Sequence, residues 1–174
     1  MNTVNFIESY KVKDVLCEDL IKYWKKNKEH KIKISGEDKN SIDVYFYNQS
    51  INKTIKDFFK ILSTHLKHYV TKYKIKNNLK THVVNKIQHY APGQGYSTLH
   101  YERGTAEFGL RQLVYMLYLN NVDNGGTEFP YQNAIISATK GNFIIWPADF
   151  THPHKGIISS TQEKYIVTGW IEII

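Results

Sequence analysis

The apolar positions of this chain change their period near residue 80. Before that point they recur at helical spacing in two places. Val15, Leu16, Leu20, Ile21 and Trp24 form one stripe, which predicts a helix over 14–27 with lysines on much of its other face. Ile55, Phe58, Phe59, Ile61, Leu62, Leu66 and Val70 form a second stripe and predict a helix over 54–72. Between them 30–35 alternates weakly, 36–40 reads as a turn and 41–47 as a strand. Residues 1–12 mix polar and aromatic side chains, as a strand or an ordered arm would.

Beyond residue 81 the period is two. Residues 83–90 alternate like a strand, 91–95 form a turn by their Pro and Gly content, and 96–102 return as an extended segment. Residues 113–119 are apolar on both faces, as a central strand should be. A turn is expected over 121–126. The segment that follows should end at Pro130, or Pro130 should lie on a sheet edge. Ile135 and Ile136, the turn 140–142, the run 143–147 and the final stretch 164–174 complete a strand-rich half. Two helices followed by short strands between Gly/Pro turns predict a mainly β fold, a sandwich or barrel of jelly-roll type with helices packed on one sheet. The helices are too few to bury their own apolar faces. The expectation is therefore one domain over 1–174, with 1–80 as helical support and 81–174 as the jelly-roll core.

Composition narrows the class. At 41% hydrophobic and 14% aromatic the chain is globular rather than disordered, and its thirteen tyrosines suit β structure and hydroxyl-edged pockets. The net charge of +7 comes almost wholly from lysine. The lysine runs at 22–33 and 72–80 fall on helices or their ends and lack the arginine–aromatic interleaving of single-strand grooves. They read as a solvated surface, not as a nucleic-acid interface. Cys17 is the sole cysteine, which excludes an intrachain disulfide, favours a reducing compartment and reads as a small buried hydrophobe. Residues 1–6 lack a signal-peptide pattern and no apolar run reaches the length of a membrane span, so a cytoplasmic protein with no membrane partner is expected.

Candidate chemistry centres on His100 and Glu102. Two residues apart in an extended chain, they face the same way. His152 and His154 follow some fifty residues later, in a loop after an apolar strand, where functional groups tend to sit. Two histidines and a carboxylate with open coordination positions form the facial triad of non-haem Fe(II) oxygenases. Lys164 stands at the start of the last strand, where a lysine can pair with a ligand carboxylate. His65 and His68, on the second helix, read as packed or surface side chains. Ser41, Ile42 and Asp43 read as packing, with a contribution to the substrate side as the alternative.

Residues 86–172 carry a longer pattern. Tyr90-Ala91-Pro92-Gly93-Gln94-Gly95-Tyr96 precedes His100-x-Glu102, and Arg111 opens a strand ending Tyr118-Leu119-Asn120. Gly125-Gly126-Thr127-Glu128-Phe129-Pro130, Lys140-Gly141, Pro147, His154, Lys164 and Trp170 follow in order. This half of the chain resembles the catalytic core of the 2-oxoglutarate/Fe(II)-dependent dioxygenases, in the prolyl 4-hydroxylase-like branch known from phage and marine bacteria. The resemblance implies a double-stranded β-helix (jelly roll) flanked by helices. It implies Fe(II) on His100, Glu102 and His154, with 2-oxoglutarate and O2 as co-substrates and ascorbate as reductant. Lys164 would bind the distal carboxylate of 2-oxoglutarate and Tyr90 would hydrogen-bond it, with Tyr118 and Thr127 as weaker candidates. Trp170 would line the site, and Arg111 would serve structure or the substrate entrance. The ligand ten residues before the lysine is His154, which leaves His152 beside the ligand or in a substrate loop. The usual carboxylate of the family is Asp, and here it is Glu102.

The substrate implied by the resemblance is a prolyl residue in a peptide or protein; free amino acids, other protein side chains and small metabolites stay open. The nucleic-acid demethylases of the same superfamily anchor the co-substrate with an arginine after the second histidine, and here only Arg103 and Arg111 exist, both before it. A zinc hydrolase would want an H-E-x-x-H helix, which is absent, and would leave Lys164 without a task. A non-catalytic metal-binding jelly roll is the remaining alternative.

Overall fold

The computed structural model describes residues 4–174, so the first three residues of the expected N-terminal arm lie outside the described part. In chain order the elements are β1 (Glu8–Lys11), α1 (Asp14–Lys26), β2 (Lys31–Ser35), β3 (Asn40–Tyr47), α2 (Lys53–Tyr73), β4 (Leu79–Thr81), β5 (Val84–Tyr90), β6 (Arg111–Tyr118), β7 (Val122–Phe129), β8 (Ala134–Ala138), β9 (Asn142–Pro147), β10 (Lys155–Gly156) and β11 (Lys164–Ile173). The large antiparallel sheet runs β1-β9-β6-β11-β5-β3-β2, with β4 pairing β11; the small one runs β10-β7-β8.

Both helices form where the apolar stripes place them. Asn52 caps α2, its side-chain oxygen accepting from Ile55 N at 3.3 Å. A left-handed Lys74 ends the helix. Their buried faces cover one side of the large sheet, and the alternation of the strands divides the core in two. On β6, Leu113, Tyr115 and Leu117 point to the helices, joining Cys17, Leu20, Phe58 and Leu62. Val114, Met116 and Tyr118 point the other way, toward Phe129 of the small sheet. β9 divides likewise, Phe143 and Ile145 from Ile144 and Trp146. Strands apolar on both faces are thus those with a helix layer on one side and the second sheet on the other. Cys17 and His65 pack as expected: the thiol is fully buried and His65 stacks on Tyr10 at 4.6 Å.

Three expectations change. The first eighty residues are more than helical support, since β1, β2 and β3 extend the same sheet as β5, β6, β9 and β11. The alternation of β1 and β2 is weak because they are the edge strands and bury less of each face. The turn expected over 121–126 is largely strand β7. Its Asn-Gly-Gly run serves a bulge, with a register break between Val122 and Thr127 and a positive φ of 51° at Asn124. Residues 96–102 form no strand; they run irregularly, and their only ladder-type pairings with the described residues are the isolated bridges Lys39↔Tyr96 and His100↔His154. Among the described residues, no helix is long and apolar enough to cross a membrane.

Candidate active site

Between the two sheets lies a cavity whose wall follows from strand alternation. On β5, residues 86, 88 and 90 face inward. On β11, residues 164, 166, 168 and 170 do the same. The register pairs Tyr90 with Lys164, Gln88 with Ile166 and Lys86 with Thr168, and all of these residues line the cavity. Val114, Met116 and Tyr118 of β6 supply its apolar floor.

His100, Glu102 and His154 come together at this cavity, each offering a donor atom within 4.8 Å of the others. Glu102 Oε1 lies 3.6 Å from His100 Nε2 and 3.9 Å from His154 Nε2. Backbone pairing sets this arrangement. His100 N donates to His154 O at 3.0 Å and His154 N returns a bond to His100 O at 2.8 Å; Glu102 N is held by Ala148 O at 3.0 Å. The loop segment 96–102 is thereby tied to the loop after β9 without belonging to a sheet. The rings are fixed from behind. His100 Nδ1–H donates to Thr98 O at 2.7 Å and His154 Nδ1–H to His152 O at 3.0 Å, which leaves each Nε2 lone pair aimed at the shared point. Tyr96 stacks on His100 at 3.8 Å, and Trp146 meets His154 edge-on at 5.0 Å.

The second carboxylate oxygen of Glu102 is occupied. Trp170 Nε1–H donates to Oε2 at 2.9 Å and Arg111 Nη1 to the same oxygen at 3.3 Å. Arg111 lies over both Trp170 and Phe108, 3.8 Å from each ring centre. Arg111 and Trp170 therefore clamp one oxygen and leave the other facing the histidines. Burial pushes the Glu102 carboxyl upward, but the neighbouring His100, His154 and Arg111 outweigh it and bring the group down to about 2. Burial, reinforced by His100, brings His154 down to about 4. Near neutral pH these directions give a carboxylate and a neutral imidazole, the forms that bind metal.

Lys164 occupies the other end of the cavity. It is 5% exposed, and its ammonium donates to Gly125 O at 2.8 Å and Ile157 O at 2.9 Å. No carboxylate among the described residues pairs with it, and burial lowers its pKa to about 8. Tyr90 pairs with it across the strands. The hydroxyls of Tyr118 and Thr127 are 2.6 Å apart and hydrogen-bond each other.

His152 stands outside this arrangement. Its Nε2–H donates to Asn5 O at 2.8 Å and its Nδ1 meets the Thr151 hydroxyl at 2.8 Å, so its ring faces the N-terminal arm. Only its backbone carbonyl, which orients His154, reaches the site. Ser41 and Asp43 are buried with Gln88. Ser41 Oγ donates to Asp43 at 2.7 Å, and Lys39 Nζ lies 3.0 Å from the same carboxylate. They brace the wall that carries Lys39 and Gln88. Tyr96, Lys39, Lys86 and Gln88 line the cavity without having been singled out from the sequence. For Lys86 and Gln88 the signal was there: they share the inward phase of Tyr90.

Residues 85–172, half of the chain, match the family described as the 2OG-Fe(II) oxygenase superfamily. The chain belongs to this superfamily. It is a 2-oxoglutarate/Fe(II)-dependent dioxygenase, with Fe(II) as its metal and 2-oxoglutarate and O2 as co-substrates. No curated protein matches the sequence significantly. Solved structures do match in fold. The viral collagen prolyl hydroxylase of Paramecium Bursaria Chlorella virus-1, in its 2-oxoglutarate complex, aligns with a TM-score of 0.79 at 21% identity over 97% of each chain. A Pseudomonas putida prolyl-4-hydroxylase aligns with 0.77 at 14% identity, over 98% of this chain and 94% of that one. A Trichoplax adhaerens prolyl hydroxylase in complex with a hypoxia inducible factor peptide fragment aligns with 0.76 at 11% identity, over 98% of this chain and 84% of its own. The expected jelly roll with flanking helices is therefore the fold of a 2OG-Fe(II) oxygenase of prolyl 4-hydroxylase type.

The donor chemistry of this dioxygenase suits the two groups its superfamily uses. Nitrogen and carboxylate donors on three sides with a cavity on the fourth are the ligand types and openness that Fe(II) chemistry needs. A buried ammonium with only carbonyl acceptors is what a dicarboxylate can neutralise. Trp170 and Arg111 hold the far oxygen of Glu102, which leaves the near one free for a metal.

Proposed function

We propose that this dioxygenase hydroxylates a prolyl residue in a peptide or protein, with His100, Glu102 and His154 holding Fe(II) and Lys164 receiving the distal carboxylate of 2-oxoglutarate. The observation that carries the reading is a single cavity with three convergent metal donors at one end and a buried lysine without a counter-ion at the other. When bound, Fe(II) with 2-oxoglutarate and O2 supplies the oxidation that turns a C–H into C–OH, 2-oxoglutarate leaving as succinate and CO2. The residues of the chain do the positioning. Lys164 fixes the co-substrate by one carboxylate, and Tyr90 stands beside it to hydrogen-bond the same group. The Tyr118–Thr127 pair presents hydroxyls to the cavity, and Val114, Met116 and Ile166 keep water from the reacting end. Trp170 and Arg111 keep Glu102 in its ligating rotamer. The prolyl substrate is supported by the fold neighbours, which are prolyl hydroxylases, one of them carrying a peptide.

Purified protein given Fe(II), ascorbate, O2 and 2-oxoglutarate is expected to form succinate above background and, with prolyl peptides, a product heavier by one oxygen in mass spectrometry. Failure to bind 2-oxoglutarate in the presence of metal would refute the co-substrate assignment. Oxygen gain on another residue would refute the prolyl assignment.

The lowered pKa of Lys164 predicts how binding depends on pH. The carboxylate of 2-oxoglutarate favours the protonated amine. Above about 8 the free protein has lost that proton, so binding must take one up and affinity falls as pH rises, by up to about tenfold per unit. Calorimetric titration from pH 7 to 10 should show this decline, and Lys164→Arg, which stays protonated, should flatten it. A pH-independent affinity in the wild type would contradict the role given to Lys164.

A further inference from the structure

The cavity holds a second lysine that the reaction as described does not use. Lys86 is on β5, four residues before Tyr90 and in the same inward phase. It pairs across the sheet with Thr168, where Tyr90 pairs with Lys164. Four residues of strand set their Cα positions about 13 Å apart, so the two lysines enter the cavity at different points along its wall. Lys86 stands at the metal end: its ammonium is 5.2 Å from the centre of the Trp170 ring, and Trp170 holds Glu102.

The charges around it are otherwise matched. Asp43 neutralises Lys39 at 3.0 Å and Glu102 neutralises Arg111 at 3.3 Å. Lys86 has no hydrogen-bond or ion-pair partner among the described residues. Burial, with the neighbouring Lys39 and Arg111, lowers its pKa to about 8 against the pull of the Asp43 and Glu102 charges, neither of which pairs with it. A dianionic co-substrate would be taken up by Lys164 and the metal site, and Lys86 would still face the substrate space without an anion. A cation retained beside a cavity against its desolvation cost is a recognition element when a ligand supplies the missing charge.

We propose that Lys86 is a specificity-determining residue that binds a carboxylate on the substrate. This rests on the oxygenase reading and adds the substrate class: a molecule whose reacting carbon lies next to a carboxylate-bearing group. Two sources offer that chemistry, a terminal α-carboxylate and an acidic side chain beside the reacting residue.

The test uses the full chain loaded with Fe(II) and 2-oxoglutarate under argon, which fills Lys164 and prevents turnover. Binding of 2-oxoglutarate is measured first. Its failure would refute the oxygenase reading itself, independently of any role for Lys86. N-acetyl-L-proline is then titrated against N-acetyl-L-prolinamide, and N-acetyl-Pro-Glu-amide against N-acetyl-Pro-Gln-amide. In at least one pair the acid is expected to bind tenfold or more tighter than its amide. A preference in the first pair marks a terminal carboxylate, and one confined to the second marks an acidic side chain. Lys86→Gln and Lys86→Met are expected to bring that ratio close to one, and Lys86→Arg to keep it; melting curves establish that each variant is folded. Equal or undetectable binding within both pairs by the wild type, or a preference that survives Lys86→Gln or Lys86→Met, overturns the proposal.

Discussion

Replacing His154 with alanine is expected to abolish metal-dependent succinate formation, whereas His152→Ala keeps a measurable part of it. The two rings are two residues apart and equally buried, each 4% exposed, but they face different things. His154 Nε2 points at Glu102 and His100. His152 spends both ring nitrogens on Asn5 and Thr151. Losing one of three ligands should weaken metal binding by more than about 100-fold, beyond what loss of a supporting partner does. His152→Ala removes contacts to the N-terminal arm, including the edge-on packing against Phe6. It leaves the backbone carbonyl that orients His154. Equilibrium dialysis with Fe(II) or Co(II), together with a succinate assay, distinguishes the two variants. The reverse ranking would move the ligand to His152.

Lys164→Met is expected to raise the dissociation constant for 2-oxoglutarate by about 30-fold or more, since removing one partner of a buried charged pair costs about 2–5 kcal/mol. Folding stability should move much less. Methionine fills the same space and removes a desolvated ammonium, which favours the variant. Against this, Gly125 O and Ile157 O lose a donor, which costs it. Urea denaturation of the metal-free variant and 2-oxoglutarate titration of the metal-loaded one measure the two effects separately. A 2-oxoglutarate affinity equal to the wild type would remove Lys164 from the site.

Much of this architecture was legible in the chain. The stripes Val15–Trp24 and Ile55–Val70 mark helices because burial at 3.6 residues per turn leaves a one-sided pattern. Residues 113–119 mark a central strand because both of its faces are covered. That His100, Glu102 and His154 come together, with Lys164 on the same cavity, was legible through the family resemblance and the order of its motifs. Of the N-terminal strands, β3 was legible as a strand over 41–47, whereas β2 at one edge of the sheet and β1 at the other were faint, their patterns diluted by polar neighbours. The Asn-Gly-Gly run of β7 reads as a turn whether it makes a turn or a bulge, because both need the same backbone freedom.

Local periodicity thus carried the helices and the central strands, since these depend on residues close in sequence, and the family resemblance named the groups that converge. Which oxygen of Glu102 faces the histidines, which way His152 turns and which lysines share a cavity depend on partners distant in the chain. Glu102 meets Trp170 and Arg111, His152 meets Asn5, and Lys86 lies across from Thr168. Those relations arise only when the loop 96–102 is tied to the loop after β9 and the two sheets close over the space between them.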